Sequence, residues 1–255
     1  QTHHFAMLSL RNSFHLGRLG DWGIMAAEAG FICILYANVQ SARPLVAPFG
    51  GSDARFVTNP YCTAIPATEK HPMFVLDMAT STIAMGKARV AQLSGKPAPE
   101  GALIDAQGNA TRDPSVVFDG AGGALTAFGQ HKGFGLALLG DILGGSFSGG
   151  GAYAPEREVP DRIVNNMMAI LIDPNVFGLA QSFGVDVDSY TDWVKASPAA
   201  PGTAGVQFPG DPERRSTAER SAKGIPLDAG TLAQLMAAAR KAGVPASEHL
   251  CSTSD

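Results

Sequence analysis

Residues 76–91, LDMATSTIAMGKARVA, set a strand, a turn and a helix end to end. Leu76 and Asp77 close an apolar run that begins at Met73, and the small residues Ala79, Thr80 and Ser81 follow. From about Thr82 the pattern turns helical and runs to Leu93, with Gly95 as its stop and Pro97 beyond. A strand that enters a helix through small residues aims free backbone N–H groups and hydroxyls at one spot, which makes an anion cradle. The usual nucleotide fingerprints are not there. No G-x-G-x-x-G follows a strand, and GGSFSGG at 144–150 has the spacing of a phosphate loop but lacks its Lys and Ser/Thr. The stretch therefore predicts an α/β protein able to hold a phosphate on something other than a standard dinucleotide domain or P-loop.

Working outward, the first half alternates short apolar strands with helices. AMLSLR (6–11) reads as a buried strand, GDWGIMAAEAG (20–30) as a helix ending at Gly30, and FICILY (31–36) as another buried strand. Extended pieces are expected around FVTNP (56–60) and MFVLD (73–77), and hairpin chemistry at IDAQGNATRDP (104–114). A second apolar helix is expected over 134–143, and 144–162 reads as a long glycine-rich surface loop. RIVNNMMAILID (162–173) is a strong strand, 183–197 has helical character, 198–212 is a Pro/Gly-rich loop, and a last helix runs from an Asp228 cap to Gly243. Residues 1–162 and 163–255 are the expected division of the chain, the second part completing the core of the first.

Composition narrows the function classes. With 255 residues, 45% of them hydrophobic and 16% charged, the chain can bury a large core, and long disorder is excluded. FICILY and MMAILI (167–172) are strand-length, so no membrane-spanning helix is expected. Nineteen basic against 23 acidic residues, without a basic block, give nucleic acid no footprint. Three scattered cysteines, Cys33, Cys62 and Cys251, suggest neither a disulfide framework nor a zinc cluster and fit a cytoplasmic setting. The six histidines show no metal-ligand spacing, so no metal is expected. The chain opens on Gln1 and enters a strand almost at once, and it reads as the remainder of a longer protein. Its 30 glycines and 17 prolines stand above average usage, so turns shape much of the backbone.

Two further patterns could carry chemistry. In GQHKGFGLAL (129–138), Lys132 stands between glycines where a helix begins, joining a point charge to a helix N-terminus. In SLRNSFHLGRLG (9–20), His15 follows a strand and precedes Gly17, a junction suited to meeting a substrate, with a side chain suited to proton transfer near neutral pH. The bland readings are that Thr80 and Ser81 only cap a helix, that Lys132 is a solvated terminus, and that His15 is structural.

Taken in order, RNSFHLGRLG (11–20), NVQSARPLVAPFGG (38–51), FVTNPYCTAIP (56–66), LDMATSTIAMGKARVA (76–91), PEGALIDAQGNATRDP (99–114), HKGFGLALLGDILGGSFSGG (131–150) and KGIPLDAG (223–230) resemble the type-2 malate/L-lactate dehydrogenase family over nearly the whole chain. The resemblance implies a mixed, largely antiparallel sheet with packed helices, the non-Rossmann NAD(P)-binding fold of the sulfolactate/malate dehydrogenase type. It implies hydride transfer between NAD or NADP, NADH being favoured, and C2 of a small 2-keto or 2-hydroxy acid of malate, lactate or aryl-lactate type. His15 and Asp77 match the family's proton-handling residues. Asn38, Leu76, Asp77, Met78, Ala79, Thr80, Ser81, His131, Lys132, Gly133 and the loop Pro209–Gly210–Asp211 match its cofactor contacts. A homodimer in the cytoplasm is the implied assembly, with no membrane and no nucleic acid as partner.

Three departures stand out. Nothing here matches the family's N-terminal helical region with its Ser-His-Gly segment and Arg, Phe14 precedes His15 where relatives often have a second histidine, and Gly210–Asp211–Pro212 replaces the usual Gly-Glu. They motivate an alternative, a non-catalytic nicotinamide-nucleotide-binding or assembly protein.

Overall fold

The computed structural model describes residues 3–118, 120–154, 156–158, 161–227 and 229–244. By its internal contacts the chain divides into two compact units, 1–210 and 211–255. In the first unit β1 (Phe5–Ser13), α1 (Leu19–Glu28), β2 (Ile32–Gln40), β3 (Tyr61–Ile65), β4 (Phe74–Met78) and α2 (Met85–Leu93) come first. They are followed by the short strands β5 (Leu103–Ile104), β6 (Ala110–Thr111) and β7 (Ala124–Leu125), then α3 (His131–Leu139), β8 (Val164–Ile172) and α4 (Ala180–Lys195). The large sheet has the order β1-β8-β2-β3-β4, with every neighbouring pair antiparallel. A small antiparallel sheet runs β6-β5-β7, and its β5–β6 hairpin is the one expected at 104–114.

Strand β2 shows why the site forms where it does. Cys33, Leu35 and Ala37 are buried on one face, where α1 covers them together with Ala64, Val75, Met167 and Ala169. Each large apolar side chain so buried, such as Leu35, adds roughly 1.5–3 kcal/mol. Burial pushes the thiols of Cys33 and Cys62 up to about 11 and about 12, so both stay as inert apolar groups at neutral pH. Residues 36, 38 and 40 alternate onto the opposite face. There α3 continues without a break into a π-helical segment, Gly140–Phe147, which lies against β2. A Cβ at Gly144 would stand 2.7 Å from the Tyr36 carbonyl oxygen and 2.9 Å from the Asn38 nitrogen, and one at Gly145 would stand 3.0 Å from Asn38 Cγ. Glycine is what lets helix backbone meet strand backbone here. A second core, around Val46, Phe56, Leu103, Val117, Leu125 and Ala137, joins the small sheet to α3.

Several expectations are corrected. The β1 strand exists, but it is the edge of the sheet and is not buried: Phe5, Met7 and Leu8 are 55%, 53% and 54% exposed. An apolar run fixes strand character, whereas burial depends on what packs against it. Strand β3, carrying Cys62, was not foreseen as separate from the extended piece before it. Helix α2 starts at Met85, because residues 80–82 are already bonded to neighbouring chain. The second apolar helix starts earlier, at His131, and its π-helical continuation takes in Gly144–Phe147, shortening the expected loop. Helix α4 begins at Ala180 and ends at Lys195.

The second unit contains α5 (Asp211–Lys223) and α6 (Ala229–Lys241). The loop expected over 198–212 gives way to α5 at Asp211. The charges explain it: Asp211 and Glu213 fall in the first turn, Arg220 and Lys223 in the last, which suits the helix dipole at both ends. Asp211 pairs with Arg214 at 2.5 Å and Glu219 with Lys223 at 3.1 Å. The expected cap at Asp228 and Cys251 lie outside the described residues. Among the described residues no helix is long and apolar enough to cross a membrane.

Candidate active site

His15 sits at a cavity of about 320 Å³ on the α1 side of β2, lined by Ala37, Val39, Val57, Met85 and Ile163, with Ser41, Thr58 and Asn165 as its other polar residues. An apolar concavity with a few convergent polar groups is the usual form of a small-molecule site. A larger groove of about 1030 Å³ is lined by Ile172, Phe177 and Phe183 among others, but it is predominantly apolar and none of the expected site residues lines it.

The loop carrying His15 is held at both ends. Strand β1 breaks register between Leu10 and Ser13, and Asn12, at φ +55°, turns the chain. The Asn12 N–H donates to Asn166 Oδ1 at 2.8 Å, and the Leu16 N–H to Asn165 Oδ1 at 2.9 Å. The Gly17 N–H donates to His15 Nδ1 at 2.9 Å. With Nδ1 accepting, the neutral ring carries its proton on Nε2, which has no hydrogen-bond partner among the described residues. The ring presents that atom as a donor.

Asp77 is not placed as a dyad with His15. It lies in β4 beside Cys62, its side chain only 15% exposed, and Arg18 Nε approaches its Oδ2 at 3.2 Å. Arg18 also donates to Asp21 at 2.8 Å. The segment 15–18 thus reaches from the cavity to Asp77. A Cβ on Gly20 would stand 2.6 Å from the same Asp77 oxygen, so α1 enters against this carboxylate only as glycine.

The expected cradle at 77–82 takes another form. Thr80 is fully buried. Its N–H donates to the Thr58 carbonyl, and its hydroxyl reaches the carbonyls of Thr58 and Asn59 at 3.0 and 3.1 Å. Ser81 donates to the Ile83 carbonyl, and the Thr82 N–H to Thr126. These hydroxyls are spent on backbone, and what they build is a junction. Thr80 joins Thr58, at the cavity wall, to Phe128, whose N–H donates to the Thr80 carbonyl just ahead of α3. There Lys132 is exposed and makes no ion pair among the described residues. His131 packs edge-on against Phe49 with ring centroids 5.9 Å apart. Gly133 is buried, and a Cβ on it would fall 2.1 Å from the Phe128 carbonyl oxygen. The Val75 N–H donates to Pro209, which sets Pro209 and Gly210, at φ +97°, beside the start of Leu76–Met78. Asp211 belongs to the second unit.

Asn38 is completely buried on the other face of β2. Its Nδ2 donates to Asp141 Oδ1 at 2.5 Å and its Oδ1 accepts from Asn166 Nδ2 at 2.7 Å. Asn59 also hydrogen-bonds Asp141, and loss of water around that carboxyl raises it above the usual carboxylate range. Arg18, Asp141, Asn165 and Asn166 went unnoticed in the sequence. Two adjacent asparagines inside an apolar strand and an acid inside an apolar helix are each costly unless satisfied, and that was the available signal. Among the described residues no group of His, Cys, Asp and Glu is placed to hold a metal ion.

The malate/L-lactate dehydrogenase family model matches residues 1–236. The chain belongs to the malate/L-lactate dehydrogenase family. It is 42% identical over 245 residues to hydroxycarboxylate dehydrogenase B of Escherichia coli strain K12, covering 95% of this chain and 67% of that protein. It is also 42% identical over 226 residues to an L-lactate dehydrogenase of Cupriavidus necator, covering 87% of this chain and 63% of that one. The details of TNPYC (58–62), IDAQGN (104–109), WVKASP (193–198) and KGIPLDAG (223–230) point to hydroxycarboxylate dehydrogenase B within the family. Among solved structures, sulfolactate dehydrogenase from Methanocaldococcus jannaschii superposes with a TM-score of 0.76 at 30% identity, covering 94% of this chain and 67% of that one. The chain spans about two thirds of the length of these relatives. Family membership places it among the 2-hydroxyacid oxidoreductases and confirms the expected fold, and the non-catalytic alternative is not favoured.

Proposed function

We propose that this member of the family reduces a small 2-keto acid to the 2-hydroxy acid at the His15 cavity, using a nicotinamide cofactor, NADH in preference to NADPH. The carrying observation is the arrangement around His15: a donor nitrogen without a hydrogen-bond partner among the described residues, at an apolar cavity, one junction away from Lys132. Lys132 and the first turn of α3 suit a phosphate, since an exposed cation stands beside the positive end of a helix dipole and Gly133 keeps the backbone close. Residues 76–81 would lie along the cofactor through backbone and apolar surface, Pro209 and Gly210 beside them, with Asn38 supporting from beneath. When bound, the nicotinamide supplies the hydride.

The chain's own residues handle the proton. As charge grows on the keto oxygen, His15 Nε2 can donate to it. Full proton transfer from Nε2 requires a second proton on Nδ1, so the Gly17 N–H must release that atom while the imidazolium exists. The reverse reaction uses the same nitrogen as base. A cytoplasmic homodimer is part of the same reading, supported by the cysteine usage and by the exposed apolar side of β1.

The test is turnover by the full chain, followed as NADH absorbance with pyruvate, oxaloacetate and phenylpyruvate, and repeated with NADPH. The proposal expects saturable oxidation with at least one keto acid and a higher kcat/KM for NADH. Cofactor binding without turnover of any of the three acids would overturn it.

A further inference from the structure

The histidine loop is anchored from the far face of the sheet. Asp141 sits in the π-helical segment on the face of β2 opposite the cavity, yet a continuous line of hydrogen bonds leads from it to the loop. Asp141 Oδ1 accepts from Asn38 Nδ2 at 2.5 Å, Asn38 Oδ1 from Asn166 Nδ2 at 2.7 Å, and Asn166 Oδ1 from the Asn12 N–H at 2.8 Å. Asn38 and Asn166 are both fully shielded from solvent, and Gly150 leaves the room that the Asn166 side chain fills, a Cβ there falling 1.9 Å from its Oδ1. An amide flip at any point would set donor against donor or acceptor against acceptor, so the carboxylate at one end fixes the orientation of every amide up to Asn12. Asn12 is where β1 breaks register and turns into the loop, and Asn165, next to Asn166 on β8, holds the Leu16 N–H on the other side of His15.

We infer that Asp141 is a positioning residue for His15, acting through Asn38 and Asn166 to fix where the histidine loop leaves β1. The inference rests on the proposed proton-handling role of His15. Asp141 does not line the cavity, and of the residues assigned to the cofactor it bonds Asn38, whose side chain is fully buried, so its loss misplaces the histidine more than it weakens cofactor binding. A displacement of the order of 1 Å at a reacting group costs up to about a hundredfold in rate.

The experiment compares Asp141→Leu, which removes the acceptor, with Asp141→Asn, which keeps an oxygen for Asn38. Keto-acid turnover and NADH affinity are measured on each, with His15→Ala in parallel. The expected result is a kcat lowered about tenfold or more in Asp141→Leu, an NADH Kd within about twofold of the parent, and recovery of most of the lost kcat in Asp141→Asn. Asn166→Ala breaks the same line at its midpoint inside an intact strand and should show the same fall in kcat with NADH affinity again held within about twofold, which keeps the test decisive should Asp141→Leu not fold. Parent-like kcat in folded Asp141→Leu or in Asn166→Ala, with His15→Ala inactive, would overturn the positioning role and leave the His15 reading standing. Parent-like turnover in His15→Ala would overturn the His15 reading itself, and the catalytic meaning of the line with it.

Discussion

Gly144→Ala should destabilise the protein by about 3 kcal/mol, near the upper end of what one added methyl costs in a packed interior. The methyl would have to occupy space 2.7 Å from the Tyr36 carbonyl oxygen and 2.9 Å from the Asn38 nitrogen. Both are backbone atoms of a strand paired on its two sides, so neither can move aside without breaking pairs with β3 or β8. For a chain of this size, 3 kcal/mol lowers the thermal midpoint by roughly 6–12 °C. Gly135→Ala is the control: it lies one helical stretch earlier in α3, and a Cβ there meets nothing within 4 Å. Alanine is the better helix former by up to about 1 kcal/mol, so that variant should melt at or slightly above the parent. Thermal melts followed by circular dichroism separate the two. Equal midpoints for Gly144→Ala and the parent would mean that the π-helical segment does not rest on β2, and the support of Asn38 would go with it.

His15→Ala should remove most of the activity without touching stability. General acid–base groups are worth about 10²–10⁴-fold in rate, and a kcat reduced by at least a hundredfold is expected. His15 is exposed and its one hydrogen bond is local, to the N–H two residues on, so the melting temperature should stay within about 1–2 °C of the parent, as for surface substitutions generally. NADH affinity should hold as well, because the phosphate-binding features are at Lys132 and the start of α3. The pairing of lost turnover with retained folding and retained cofactor distinguishes a catalytic histidine from a structural one. A variant that keeps its kcat returns His15 to the structural reading.

How much of this was legible in the sequence depends on the kind of information each feature requires. The strands around Leu35 and Met168 and the helix at 19–28 announced themselves through periodicity, because apolar spacing is a local property. The exposure of Phe5, Met7 and Leu8 was not legible, since an apolar edge strand and an apolar core strand have the same spelling. The start of α2 was misplaced for a related reason: Thr80 and Ser81 looked like helix caps, but their hydroxyls are claimed by Thr58, Asn59 and Ile83, partners that only the fold supplies. The π-helical segment was hidden because glycine signals loop in isolation and close packing in context, and at Gly144 the second meaning holds. Family resemblance pointed to His15, Asp77 and Lys132, and the fold links the regions around them through Thr58, Thr80 and Phe128. It gave no hint of Arg18 as the neighbour of Asp77, or of the asparagine line to Asp141, since those depend on which faces of β2 and β8 meet.

The most direct test of the central claim is to follow the hydrogen itself. The full chain is supplied with nicotinamide cofactor deuterated at C4 on the transferring face, together with the best keto acid of the turnover assay, and the 2-hydroxy acid product is analysed by mass spectrometry and NMR. The account predicts one deuterium per product molecule, located at C2, formed by the parent and reduced in yield at least a hundredfold by His15→Ala. Product with hydrogen from solvent at C2, or deuterated product formed equally well by His15→Ala, would contradict it.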